Sequence, residues 1–327
     1  MTVSVPLVRV VRSGFQESVH TGDVAVCDAD GRVVAAAGDP HRALFSRSSM
    51  KPLQAAVSLT AMGAEEHLSP AQVAVMCASH NGEPIHVQTV RSVLERAGLD
   101  VGDLRCPPDY PLDQDAAARA GERRRELHNC SGKHAGKLLA CVRAGWDTGS
   151  YLDPDHPLQQ RILAAVRVGT GIDDPRVGVD GCGAPVHGVT LAAMATLFAR
   201  LARPERLGDL EPSARRAVDS MLAEPYLVAG RNRLGTALME ATGSVIEKGG
   251  AEGLSCAAVL PAGLGIAVKA ADGSHRATAP AMVAVLRQLD VLDDALVEAL
   301  RPFARPPVLG GGLPVGEIEP LVELLRP

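Results

Sequence analysis

Aromatic residues are nearly missing from this 327-residue sequence: Phe, Tyr and Trp together make up 2% of it, with one Trp. Platforms for stacking nucleic-acid bases are therefore not expected, and the core must come from Ala, Val and Leu. Charge of one sign is missing too. Lys and Arg number 33 against 38 Asp and Glu, a formal net charge of -5, with no long run of either sign. That argues against a nucleic-acid stripe and a polybasic membrane surface, and leaves a small molecule as the expected partner. The densest basic run, Arg123 to Arg125, reads as a solvated helix face. No segment approaches the roughly 20 apolar residues that span a bilayer. The opening MTVSVPLVRVVRSG has no basic leader, uninterrupted apolar stretch and cleavage site. The expected location is the cytoplasm, with no membrane and no nucleic acid as partner.

Seven cysteines are an odd number in a long chain without a secretion signal, so disulfides are not expected. Most lie in apolar surroundings such as VAVMCAS and LLACVRA, where a thiol acts as a small hydrophobe. Only Cys130 and Cys182 have Gly-rich polar neighbours.

With 46% hydrophobic and 22% charged residues, the chain reads as one unit over 1–327 with a sizeable core. Apolar alternation from Val3 to Val11 is followed by GDVAVCDADGRVVAAAGD, in which Asp30-Gly31 marks a tight hairpin. Helical spacing runs over about 48–62, 69–78, 86–97, 132–145, 157–168, 187–202 and 212–223. Strands return at 245–248, 254–261 and 265–273 as a meander; a helix over about 278–290 follows, and Gly311-Gly312 reads as a loop. The expected class is α/β (α+β): an antiparallel sheet built from both termini (about 1–60 and 240–327), flanked by helices, with a largely helical region (about 61–239) inserted in it.

The strongest local signal is FSRSSMKP. Ser48 and Lys51 stand three apart at a predicted helix amino terminus, on one helix face. A serine hydroxyl needs a base to become a nucleophile, and lysine serves only when burial or a neighbouring cation keeps it neutral. The amino terminus adds N–H groups suited to an oxyanion. Alone, the pattern better describes a capping serine with a solvated lysine. Two more elements shift the balance: Ser79-His80-Asn81 in the polar turn CASHNGEP, and Lys248-Gly249-Gly250 at the end of a strand. With Ser48 and Lys51 they give the order S-x-x-K, S-x-N, K-[TG]-G of the penicillin-recognising serine hydrolases. In that arrangement Lys248 helps keep Lys51 neutral, and Ser79 relays a proton.

A second constellation joins HNCSGKHAG (128–136) to VDGCGAP (179–185). Two thiolates and a nitrogen donor suit zinc, yet a lysine ligand is rare and two separated cysteines by themselves better describe reduced structural thiols. His134 is an orienting candidate within the motif. Asp180 suits either a substrate ammonium or an Asx-turn.

Together FSRSSMKPLQ, CASHNGEPIH, HNCSGKHAGKL, VDGCGAP and EKGGAEG resemble the asparaginase II family, the Rhizobium-type L-asparaginases, over about residues 6 to 291. The resemblance implies a serine β-lactamase-like fold and hydrolysis of L-asparagine to L-aspartate and ammonia. It places catalytic roles on Ser48, Lys51, Ser79 and Lys248. It also implies one zinc ion per chain on Cys130, Lys133 and Cys182. Arg47, His80, Asn81, His134, Asp180 and Gly249 are the candidate substrate contacts, and a homodimer is the expected assembly. The sequence departs from the family at VAGRNRLGTALM, where Leu234 and Gly235 stand in place of Phe and Asp. That keeps two alternatives open: glutaminase or other β-lactamase-like hydrolase activity, and a catalytically silent amino-acid-binding homologue.

Overall fold

A computed structural model describes residues 3–326; Met1, Thr2 and Pro327 of the expected 1–327 unit lie outside the described residues. The amino-terminal apolar runs form β1 (Val5–Arg12), β2 (Phe15–Cys27) and β3 (Val33–Ala37). The late runs form β7 (Val245–Gly250), β8 (Leu254–Val259), β9 (Leu264–Ala270), β10 (Pro307–Gly310) and β11 (Leu313–Pro320), with β4 (Ala43–Phe45), β5 (Arg176–Val179) and β6 (Pro185–Thr190) between. Both ends of the chain combine in one eight-stranded antiparallel sheet, ordered β10-β11-β1-β2-β9-β8-β7 with β3 added on β2. The expected mixed α/β architecture, a sheet made from the two termini around a helical middle, is the one observed.

Successive side chains of a strand point to opposite faces, and here each face has its own core. Val24 and Val26 of β2 join Ile266 and Val268 of β9 beneath the helix His275–Gln288. Ala25 and Cys27 join Cys256 and Ala267 beneath the helix Leu191–Ala202. Small residues on this second face let that helix lie close against β9. The second core continues into the helices Lys51–Met62, Pro70–Cys77, Ser131–Ala144 and Pro157–Thr170, which form the helical region.

The structure departs from the sequence reading at several points, one being the Arg123 to Arg125 run, which lies in a bridge to Asp109 and the start of a 3₁₀ turn rather than on a helix face. The expected helix over 187–202 begins only at Leu191, capped by Thr190 Oγ1 accepting from Ala193 N at 3.2 Å. Residues ahead of it belong to β6, which pairs with β4 and β5 in a second, three-stranded sheet. The apolar positions Val186 and Val189 fit a helical period, but β-branched residues around Gly188 favour an extended backbone. The Gly311-Gly312 loop is the turn of a hairpin: Gly310 pairs with Leu313, and the two glycines have φ of 59° and 82°, the left-handed backbone that a two-residue turn requires. Among the described residues no helix is long and apolar enough to cross a membrane.

Candidate active site

Lys51 begins the helix Lys51–Met62, with Pro52 in its first turn, where no intrahelical donor is lost. A 3₁₀ turn, Arg47–Met50, leads into it, so Ser48 lies inside that turn rather than capping the helix. Arg47 has φ of 44°, a left-handed conformation in a non-glycine residue immediately before Ser48. Two contacts hold the turn against the sheet edge. Ser49 Oγ donates to Lys248 O at 2.9 Å, and Gly250 lets β7 approach: a Cβ there would stand 2.8 Å from Ser49 Oγ.

The helix Pro70–Cys77 ends where Ala78 turns extended, which delivers Ser79 to the same point. Ser79 N and Asn81 N donate to Val228 O and Ala229 O, fixing that segment. Lys248 comes from β7, on the face that carries Ile246 towards the helical region. The two amines meet on one hydroxyl. Lys51 Nζ donates to Ser79 Oγ at 2.8 Å and to Ala78 O at 2.6 Å; Lys248 Nζ donates to Ser79 Oγ at 2.8 Å and to Gly249 O at 2.7 Å. Both lysines are buried. Burial lowers the pKa of Lys51 below the ordinary lysine value. Burial, and then the charge of Lys51, push Lys248 well below it. With one amine neutral, the Ser79 hydroxyl can donate to it while accepting from the other, so a proton can pass between them.

Ser48 opens into a cavity of about 780 Å³ that is also lined by Arg47, Ser79, Cys130, Asp180, Cys182, Lys248 and Gly249. Among the described residues no hydrogen bond joins Ser48 Oγ to Lys51 Nζ; Ser79 is the hydroxyl that Lys51 holds. Asp180 sits in a tight turn, with Oδ1 accepting from Arg47 Nε at 2.7 Å and from Gly181 N at 2.9 Å. Its carboxylate is thus already neutralised by Arg47.

Three candidate substrate contacts lie away from the cavity lining. His80 is fully buried, with Nε2 at 2.9 Å from Ser131 Oγ and Nδ1 accepting from Gly82 N. Asn81 donates to Glu83 Oε1 and Arg231 O and accepts from Arg233 Nη1. His134 Nδ1 lies 2.7 Å from Tyr151 OH. The hydrogen bonds of His80 and Asn81 are satisfied inside the chain, so these side chains brace the Ser79 segment from behind.

The cysteine motifs converge. Cys130 precedes the helix Ser131–Ala144, and Lys133 in its first turn donates from Nζ to Cys182 Sγ at 2.9 Å. The neighbouring Cys130 and the charge of Lys133 favour the thiolate of Cys182 and hold its pKa far below the usual thiol range despite burial, while the Cys130 thiol itself donates to Asn129 Oδ1 at 3.1 Å. Burial opposes charge on Lys133, but the sulfurs of Cys182 and Cys130 outweigh it and hold its pKa above the ordinary value. His134 Nε2, beside Cys182, is buried without a hydrogen-bond partner. Among the described residues no three His, Cys, Asp or Glu side chains cluster for a metal, so the third donor to any ion here would be the Lys133 amine. Two sulfurs, an amine and an unpartnered buried nitrogen fit a zinc ion's preference for S and N donors. All seven cysteines are unbridged and buried.

Glu247 was missed by the sequence reading. It too lines the cavity, one residue before Lys248 and on the opposite face of β7. The available signal was a pair of opposite charges inside the apolar strand VIEKGG.

The family model described as L-asparaginase II matches residues 8–320. No curated protein matches the chain. Similar solved structures include a β-lactamase from Mycobacterium bovis, at 19% identity, covering 82% of this chain and 94% of that one with a TM-score of 0.43. A probable glutaminase from Bacillus subtilis is similar at 14% identity, covering 83% and 84% with a TM-score of 0.40. A Bacillus glutaminase is similar at 13% identity, covering 83% and 91% with a TM-score of 0.46.

Proposed function

Since the chain belongs to the L-asparaginase II family and is therefore an amidohydrolase, we propose that it hydrolyses the side-chain amide of L-asparagine to L-aspartate and ammonia through an ester on Ser48. The observation that carries this reading is the meeting of two buried, pKa-lowered amines on Ser79 in the cavity that Ser48 enters.

In the first half-reaction Ser48 Oγ attacks the amide carbon and its proton passes to Lys51. The backbone N–H of Ser48 and of the facing strand β7 would hold the oxyanion. The C–N bond breaks as the nitrogen takes a proton through Lys51 or Ser79, and ammonia leaves. Water then attacks the ester, giving its proton to the same relay; L-aspartate leaves and the Ser48 hydroxyl is restored. Burial and, across Ser79, the charge of Lys51 favour the neutral form of Lys248, which can take a proton through the Ser79 hydroxyl and so free Lys51 to act as the base.

Cys130, Lys133 and Cys182 would hold a zinc ion beside this cavity, as the resemblance implies. Bound there, zinc would supply positive charge and a fixed shape for positioning substrate. Loading requires Lys133 to lose the proton that the two sulfurs favour, so zinc and that proton compete for the amine.

Asparagine and glutamine differ by one methylene, a discrimination of about 1 to 3 kcal/mol for a pocket of the right depth. Steady-state ammonia release from both amides in parallel tests the proposal. The expected result is a higher kcat/KM for L-asparagine; equal or greater turnover of L-glutamine would overturn the substrate, and release from neither would overturn the reaction.

A further inference from the structure

Resting on the reading of the chain as an amino-acid amidohydrolase, we propose that Glu247 is the specificity residue that binds the substrate's α-ammonium, and that the missing side chain at Gly235 gives its carboxylate room to do so.

Glu247 is only 7% exposed. It sits on the face of β7 opposite Lys248, and Ser255 of β8 lies beside it, because Glu247 and the Ser255–Gly249 pair share a face in the antiparallel register. Glu247 Oε1 accepts from Ser255 Oγ at 2.7 Å, and the Gly249 N–H is also turned to the carboxylate. These bonds fix the side chain. No side chain among the described residues donates to Oε2. Among them, too, no Lys, Arg or His forms an ion pair with Glu247: Lys248 is committed to Ser79 and Gly249 O, and Arg233 Nη1 to Asn81 Oδ1. A buried carboxylate without a counter-ion is costly, and an arriving ammonium removes that cost while gaining a charge-assisted hydrogen bond.

Gly235, second residue of the helix Leu234–Thr242, lies directly against Oε2. A Cβ at Gly235 would stand 2.6 Å from that oxygen, so any larger residue must displace the carboxylate. The other carboxylates on the cavity are less available. Asp180 Oδ1 is held by Arg47 and Gly181, and Asp109 Oδ1 accepts from Tyr110 N in an exposed loop. Glu247 is therefore the anchored acceptor with no direct ion-pair partner among the described residues, Lys248 and Arg233 acting on it only by their nearby charge. The ligand class that fits it is an amide on a chain with an unmodified α-amino group.

The test compares L-asparagine with succinamic acid, the same amide without the α-amine, on the wild-type protein, Glu247→Gln and Gly235→Ala. Kd is read by calorimetry and kcat/KM by ammonia release. Losing a charge-assisted bond predicts that Glu247→Gln weakens L-asparagine by about 10- to 100-fold in both measures and leaves succinamic acid within about twofold. Gly235→Ala, which keeps the carboxylate and is tolerated by helical backbone, is expected to show the same selective loss at smaller size. A parallel loss on both compounds, or no loss on L-asparagine, overturns the assignment. A wild-type protein that releases no ammonia yet binds L-asparagine in a Glu247-dependent way refutes the proposed reaction and supports the subsite. No binding of L-asparagine refutes both.

Discussion

Replacing Lys137 with methionine is expected to stabilise the protein near neutral pH. Lys137 lies in the helix Ser131–Ala144 with no exposed surface, and its Nζ has no hydrogen-bond partner. Burial, and then the charge of Lys133, lower its pKa from 10.5 to about 7. At about 1.36 kcal/mol per pKa unit, that gap costs the folded state about 5 kcal/mol below pH 7, where both states hold the proton. The sign follows from proton counts. Between pH 7 and 10.5 the unfolded chain binds a proton at this site that the folded chain does not, so the wild type gains stability as pH rises, and below pH 7 the full cost remains. Methionine keeps most of the volume and removes the charge. Urea unfolding at pH 6.5 is expected to show a gain of at least about 2 kcal/mol, after allowing for imperfect packing of the new side chain. By pH 9.5 the advantage should shrink by roughly 3 kcal/mol. Lys51 and Lys248 keep their own pH dependence in both proteins, so the difference isolates Lys137. A less stable variant at pH 6.5, or a difference that does not narrow with pH, would refute the reasoning by showing that the amine has a partner inside the fold.

Ser79→Ala removes the hydroxyl that accepts from both Lys51 and Lys248. Single-turnover ammonia release should slow by about 10²- to 10³-fold with an unchanged unfolding midpoint; a change under about threefold contradicts the relay. Gly250→Ala places a Cβ 2.8 Å from Ser49 Oγ and 3.3 Å from Ser49 N. It should cost about 1 to 3 kcal/mol and depress turnover, because β7 is pushed off the Ser48 turn; thermal and kinetic measurements on one preparation check both. Elemental analysis of protein purified without added metal should give about one zinc per chain, lost on Cys182→Ser. Wild-type protein without zinc would refute the metal proposal.

Much of this was legible because motifs preserve chain order where the fold brings distant segments together. Ser48, Lys51, Ser79 and Lys248 span 200 positions of sequence, yet S-x-x-K, S-x-N and K-G-G named all four, and three of them are directly hydrogen-bonded. The motifs did not show which neighbours face the cavity. His80 and Asn81 flank Ser79 in sequence, but their polar atoms are used inside the chain. Glu247 was hidden for the converse reason: beside Lys248 it read as part of a motif, and only strand alternation puts it on the other face of β7. The three-stranded sheet was not legible because β4 and β6 pair across more than a hundred residues, and no local period records such a partner.

The central claim is that Ser48 carries the acyl group. Intact-mass analysis of rapidly quenched protein with L-asparagine, alongside ammonia release from Ser48→Ala, tests it most directly. The account predicts an adduct that maps to Ser48 in the wild type, and no turnover above background in a folded Ser48→Ala protein. Retained ammonia release in that variant, or an adduct on Ser79, would contradict it.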